Sequence, residues 1–175
     1  SDVYKRQAYN MKGFLNPNEV LKQLKLRKDM VVADFGSGSG GWAIPLAKNL
    51  EDGKVYAIDI LPEPLSALKS RAELEKVLNI QTIRANVEDK NGSQLPDSSV
   101  DLVLMTNLLF QVEKKKEVFA EAKRILKSDG KILVVDWEPD SPQGPMEGRI
   151  AKTEVKKIAE DIGFKLDKEF EAGIY

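Results

Sequence analysis

The stretch Val31-Val32-Ala33-Asp34-Phe35-Gly36-Ser37-Gly38-Ser39-Gly40-Gly41 decides the fold. The apolar run Met30–Phe35, stopped by glycines, reads as a buried strand, and Gly41–Leu50 carries Trp42, Ile44, Leu46, Ala47 and Leu50 at helical spacing. Pro45 is tolerable there because it stands near the first turn. Between strand and helix the glycines allow positive φ and a close approach of backbone to a ligand, while the helix start offers unpaired N–H groups and partial positive charge. Two fingerprints fit: Gly36, Gly38 and Gly41 match the dinucleotide pattern GxGxxG, and Gly36, Gly38 and Gly40 match GxGxG preceded by an acid.

The acid separates them. Asp34 stands two residues before the first glycine, where its charge repels a pyrophosphate and welcomes an ammonium or sulfonium group. The next strand-like run, Lys54–Ile60, contains Asp59, and a carboxylate at that strand end can accept both hydroxyls of a ribose. A nucleoside ligand with a cationic centre is the expectation.

Outward from this motif, strand and helix patterns alternate: helix Pro62–Leu78, strand Ile80–Ala85, strand Val100–Thr106, helix Lys114–Leu126, strand Gly130–Trp137, helix Thr153–Ile162 and a sixth strand Phe164–Phe170. Before it, Asn16 or Asn18 caps a short helix whose apolar side is Val20, Leu21, Leu24 and Leu26. Alternation of this kind predicts a doubly wound α/β fold, a mostly parallel sheet with helices on both faces. Ligands in such sheets sit beyond the carboxyl ends of the strands, where strand order reverses. The residues to watch are therefore Asp34–Gly41, Asp59–Leu61, Asn86–Glu88, Thr106–Gln111 and Asp136–Glu138.

Composition narrows the chemistry. The 175 residues contain no Cys and no His, which excludes disulfides, thiolate metal sites, triad serine proteases and His-ligated zinc. Lys plus Arg is 27 against 28 Asp plus Glu, a net charge of −1 that makes a purely electrostatic nucleic-acid or membrane binder unlikely. The longest apolar run, Val100–Phe110, is too short to span a bilayer, and a cytoplasmic protein is expected. Asp2–Gln7 reads as the translation of a sequencing adapter, so Ser1–Gln7 is expected to be a non-native scar before a single domain over 8–175. Only Phe164–Phe170 and the opening Ala172–Tyr175 of a partner represent a terminal hairpin, which predicts an incomplete last strand and low stability.

Four stretches in order carry a family resemblance. VVADFGSGSGGWAIPLA (31–47), VYAIDI (55–60), ANVEDKNGSQLPDSSVDLVLMTNLLF (85–110) and EAKRILKSDGKILVVDW (121–137) resemble the motifs of class I S-adenosylmethionine-dependent methyltransferases, of the type 11 or quinone-biosynthesis-like small-molecule kind. The resemblance implies S-adenosylmethionine as cofactor and a Rossmann-like fold. Asp34, Gly36, Ser37 and Gly38 would surround the methionine moiety, and Gly40 would contribute helix-start backbone. Asp59 would hold the ribose, Ile60 would pack on the adenine, and Asn86, Val87 and Glu88 would edge it; Asn86 stands where the family commonly has Asp, keeping an acceptor oxygen without the charge. Thr106 and Asn107 would lie beside the methionine part and face the acceptor.

Methyl transfer is an in-line displacement on an already activated carbon, so alignment and exclusion of water are the protein's main tasks. Asp136 is the candidate base, the alternative being strand-end hydrogen bonding, and Glu138 is second. Asn107 and Asp136 are too few for a Mg²⁺ site, so no metal is expected. The acceptor, expected to be small and partly apolar, would meet Met11–Leu15, Trp42, Leu108–Gln111 and the proline-bearing segment Trp137–Gly148, a partial lid. A nicotinamide-dependent oxidoreductase and a non-catalytic nucleoside-binding subunit stay open as alternatives.

Overall fold

Five strands pair into one all-parallel sheet: β1 (Val31–Phe35), β2 (Lys54–Asp59), β3 (Ile80–Arg84), β4 (Val100–Thr106) and β5 (Leu126–Val135), in the order β3-β2-β1-β4-β5. The structure, a computed structural model, describes residues 15–172; the Ser1–Gln7 stretch, the acceptor-side residues 11–14 and positions 173–175 lie outside the described residues. The helices are α1 (Pro17–Leu21), α2 (Ala43–Asn49), α3 (Pro62–Leu74), α4 (Lys115–Ile125) and α5 (Lys152–Ile162). The doubly wound α/β architecture is the one that the alternating pattern predicts. Asn16 caps α1, its side chain accepting the Asn18 N–H at 3.0 Å.

Alternation along the central strands sorts side chains to two cores. Val32, Leu102 and Leu104 join Val55, Leu46, Leu50 and Leu68 on one face, where α2 and α3 pack. Ala33, Phe35, Val103 and Met105 join Phe119, Ala122 and Ile125 on the other, where α4 and α5 pack. By the same alternation Asp34 points to the α2 face, and its cross-strand partners are Ala57 and Leu104, neither of which can hydrogen-bond it. The strand order reverses between β1 and β4. Asp34 and Thr106 thus flank the switch point of the sheet.

Four elements depart from the sequence expectation. Helix α1 ends at Leu21, so Leu24 and Leu26 of its expected apolar side pack against the core from the segment that follows it. Helix α3 stops at Leu74, not Leu78, because Lys76 adopts φ +54° and the Val77 N–H turns back to the Ala72 carbonyl at 2.8 Å. Strand β5 begins at Leu126 directly after α4; Val100 pairs with Leu126 and Leu102 with Lys131, so residues 127–129, which separate the expected helix from the expected strand, form a bulge within the strand. Phe164–Phe170 forms no strand. Side chains hold it instead: Asp167 pairs with Lys131 at 2.6 Å, Lys168 donates to the Gln23 side chain at 3.0 Å, and Phe164 and Phe170 pack against the two cores. No described strand offers this segment a ladder, and period-2 apolarity without a neighbour does not make a strand.

One buried polar cluster ties the β3–β4 connection to the helices. Glu121 of α4, 4% exposed, accepts the Ser93 N–H at 3.0 Å and the Ser93 hydroxyl, and Arg124 donates to its two oxygens at 2.6 and 2.9 Å. Arg124 also reaches the Leu95 carbonyl and Asp97. Burial alone would raise the Glu121 carboxyl; the Arg124 and Ser93 hydrogen bonds outweigh it and hold it below the usual range. A depressed acid stabilises the fold above its unfolded-state value, and that contribution disappears as pH falls through the folded value. Glu121→Gln faces an amide against Arg124 and is expected to cost about 1.5–3 kcal/mol in urea unfolding at pH 7, with a shallower loss of stability on acidification than the parent.

Candidate functional site

The turn after β1 is locked to the end of β2 by backbone geometry. The Gly36 and Ser37 N–H groups both donate to the Ile58 carbonyl, at 2.8 and 3.0 Å, and Gly36, Gly38 and Gly40 all take positive φ. At Gly36 a Cβ would lie 2.8 Å from Leu108 Cδ1, which would have to shift, and φ +72° strains any L side chain there. Gly38 is the opposite case: a Cβ there would meet nothing within 4 Å. Open space over a left-handed glycine is where a ligand can approach the backbone.

Asp59 joins the turn to the second strand end. One of its oxygens accepts the Gly38 N–H at 2.9 Å and the other the Leu61 N–H at 3.0 Å. Each carboxylate oxygen retains a further lone pair for a sugar hydroxyl. Ile60 and Leu61, 55% and 54% exposed, project beside it as uncovered apolar side chains.

Asp34 is wholly buried, and neither of its oxygens has a hydrogen-bond partner. The Ser37 Oγ and Asn107 Oδ1 are also buried and unpartnered. Buried polar atoms are almost always satisfied, so three such groups at one end of the sheet mark a candidate ligand seat. Burial, with a smaller contribution from the Asp59 charge, pushes the Asp34 carboxyl up to about 8. Asn107 leaves β4 with φ +53°, its N–H bonded to the Val135 carbonyl at 2.7 Å, which sets its amide at the switch point next to Thr106. The chemistry of this set is one of acceptors: a carboxyl, a hydroxyl and an amide oxygen, suited to an ammonium or to hydroxyl donors.

Other residues that the sequence singles out are spent differently. Val87 is 6% exposed and belongs to the core, so only its backbone is left for a ligand. The Asn86 side chain accepts the Glu88 N–H at 3.0 Å, and Glu88 accepts the Glu113 and Lys114 N–H groups at 3.1 and 2.8 Å, ahead of α4. Trp42, expected near the acceptor, is 7% exposed in the core under α2, and Leu109 is fully buried. Asp136 accepts the Leu109 N–H at 2.8 Å and the Trp137 N–H at 2.9 Å, and Phe110 also donates to it. Burial raises its carboxyl, and these three amides offset only part of that. The side chain braces the exits of β4 and β5 against each other. Arg149, which no local pattern marks, donates to carbonyls along the proline-bearing segment.

Two clefts, of about 510 and 710 Å³, open elsewhere, one beside Lys114–Glu117 and Ile158, the other beside α3 and β3. Neither is lined by Asp34, Gly38 or Asp59. The unpartnered atoms, not a deep concavity, mark the seat.

With this geometry in hand, the relatives are decisive. A family model described as "Methyltransferase domain" matches residues 33–134. The chain belongs to the class I S-adenosylmethionine-dependent methyltransferase family. Its fold is similar to the crystal structure of a SAM dependent methyltransferase from Aquifex aeolicus, with a TM-score of 0.82 and 28% identity over 91% of this chain and 85% of that one. It is 25% identical over 135 residues to demethylmenaquinone methyltransferase of Bacillus mycoides, 75% of this chain and 55% of that protein. It is 24% identical over 133 residues to phosphoethanolamine N-methyltransferase 3 of Arabidopsis thaliana, 74% of this chain and 26% of that protein. The chain thus spans between about a quarter and about half of these curated relatives.

The family's cofactor fits the residues present. S-adenosylmethionine carries an amino-acid ammonium, the donor that the buried Asp34 lacks, and ribose hydroxyls that suit the lone pairs Asp59 keeps free. An Asp34 carboxyl held near 8 stays protonated where the unfolded chain has ionised, so the fold loses stability as pH rises from roughly 4 to 8. Replacing it tests this directly. Asp34→Asn is expected to flatten that slope and to raise the melting temperature of ligand-free protein at pH 8 by at least about 2 °C, measured by differential scanning calorimetry.

Proposed function

We propose that this chain transfers a methyl group from S-adenosylmethionine to a small, partly apolar acceptor by in-line displacement. The observation that carries the proposal is the enclosed, unpartnered Asp34 carboxyl at the switch point, one crossover from Asp59, in a member of this family. When bound, S-adenosylmethionine supplies a methyl carbon already activated by its sulfonium. In this reading Asp34 gives up its proton and pairs with the ammonium, Ser37 Oγ and Asn107 Oδ1 accept further donors, and Gly38 leaves its open space to the ligand. Asp59 holds the ribose hydroxyls while fixing the turn through the Gly38 N–H. Ile60 offers an apolar face to the adenine, and Asn86, Val87 and Glu88 border it through backbone more than through side chains. Thr106 and Asn107 stand between this half and the acceptor.

Asp136, at the β5 exit, acts in this reading as a brace and not as the base. Its oxygens already accept three backbone N–H groups, and a proton drawn to it would weaken all three. Methyl transfer needs alignment and water exclusion more than a dedicated base, which suits a chain with neither His nor Cys. Among the described residues no group of three acidic side chains lies close enough to hold a metal ion, and no helix is long and apolar enough to cross a membrane. The acceptor is read as a small molecule handled in the cytoplasm.

Calorimetric titration with S-adenosylhomocysteine, with NAD as the competing ligand, tests the cofactor; tighter binding of NAD would sink the proposal. Gly38→Ala, whose Cβ meets no atom but whose φ of +54° strains an L side chain by about 1–2 kcal/mol, is expected to lower the melting temperature and to weaken S-adenosylhomocysteine binding at least tenfold. Asp34→Asn is expected to weaken binding as much. In the parent protein the affinity should rise with pH toward 8, as the carboxyl loses its proton to pair with the ammonium. Labelled-methyl transfer into a mixed metabolite extract then tests for an enzyme as against a binder.

A further inference from the structure

Segment 137–149 follows Asp136 with neither helix nor strand, and one side chain organises it. The Arg149 guanidinium donates to the carbonyls of Pro139, Ser141 and Gln143 at 3.1, 2.7 and 2.7 Å, and its Nε donates to Pro145. Longer contacts, at 3.5 Å, reach Glu138 and Gly144. Only a planar fork with five N–H donors can serve carbonyls spread over so many residues; an ammonium offers three donors from one point. The ring of carbonyls turns inward on the charge, so the loop is closed around its own cation.

Two contacts press this closed loop against the expected acceptor side. Gly144, at φ +85°, lies so near the Trp137 indole that a Cβ would stand 2.4 Å from it. Gly148, at φ +75°, lies against the Phe110 carbonyl, where a Cβ would stand 2.1 Å away. Phe110 in turn donates its N–H to Asp136. The loop, the brace and the exit of β4 are therefore one packed unit, and the neighbouring Ile150, 5% exposed, anchors it in the core.

We infer that Arg149 is a positioning residue for methyl-acceptor selection: it holds segment 138–149 shut as a fixed wall against Trp137 and Phe110, with no hydrogen bond to the cofactor half. The inference rests on the methyltransferase reading above and extends it to the acceptor side. With its carbonyls consumed by Arg149, this wall presents prolines, the exposed Met146 and the carboxylates Glu138, Asp140 and Glu147, which favours a partly apolar acceptor that is not anionic.

The test uses the full chain with Arg149→Ala, Arg149→Lys and, as an independent way of parting the loop from the indole, Gly144→Ala. Amide hydrogen exchange in 138–148 should accelerate at least tenfold in all three, with 31–41 and 54–61 unchanged. Affinity for S-adenosylhomocysteine should stay within twofold of the parent. Labelled-methyl transfer, followed as rate against concentration of metabolite extract, should need at least tenfold more extract for half-maximal rate, with the maximum within threefold. Guanidinium ion at millimolar concentration should restore Arg149→Ala, and lysine should not substitute. Unchanged loop exchange overturns the inference, as does an unchanged extract dependence or an equal loss of S-adenosylhomocysteine binding. A parent protein that neither binds S-adenosylhomocysteine nor transfers methyl overturns the functional reading itself, and this inference with it.

Discussion

A carboxyl group inside a sheet, with no donor within reach, is the constraint on which the rest of this structure turns. Asp34 sits between Ala57 and Leu104 in the central strand, and the fold holds it there at an energetic cost. Such a cost persists only when something recovers it, and a cationic ligand does so by contributing the missing donor and charge together. The cost and the affinity have one origin. A site of this kind is least stable when empty at alkaline pH and gains most on binding in the same range.

The surroundings of Asp34 make sense in that light. Glycines follow it because the chain must reverse tightly and still leave an approach to the carboxyl. Asp59 is placed so that it fixes the turn and stays available to the ligand, which couples the two halves of a nucleoside seat through one side chain. The switch point lies between β1 and β4 because the chain first winds outward from β1 to β3 and then crosses back, which carries Thr106 and Asn107 to the opposite lip. On the far side, Asp136 ties together the exits of β4 and β5, and Arg149 closes the loop that follows.

Seat and wall differ in how they are built. The nucleoside half is drawn from the exits of four strands, at positions where strand, turn and helix chemistry already restrict the choice. The acceptor half consists of contacts between segments that are remote along the chain or lack regular structure, such as Gly148 on the Phe110 carbonyl. That division is physically reasonable for an enzyme family that keeps one cofactor and varies its acceptor, because irregular segments change with less disturbance to the sheet.

Periodicity and glycine placement were enough to establish the doubly wound sheet, and with the two strand-end acids they were enough to propose the nucleoside seat, since each depends on near neighbours in the chain. The Asn16 cap and the β1–turn–α2 unit were legible for the same reason. The sequence could not show that Phe164–Phe170 stays unpaired, because strand formation needs a partner that its own residues do not encode. Nor could it show that Trp42 and Val87 turn inward, that Glu88 is taken up ahead of α4, or that Asp136 is surrounded by backbone donors. Arg149 is the clearest case: a single basic residue between Gly148 and Ile150 has no local signature, and its role exists only once the fold has gathered scattered carbonyls around it. Local stereochemistry determined what the chain binds, and long-range packing decided how the other side of the site is walled.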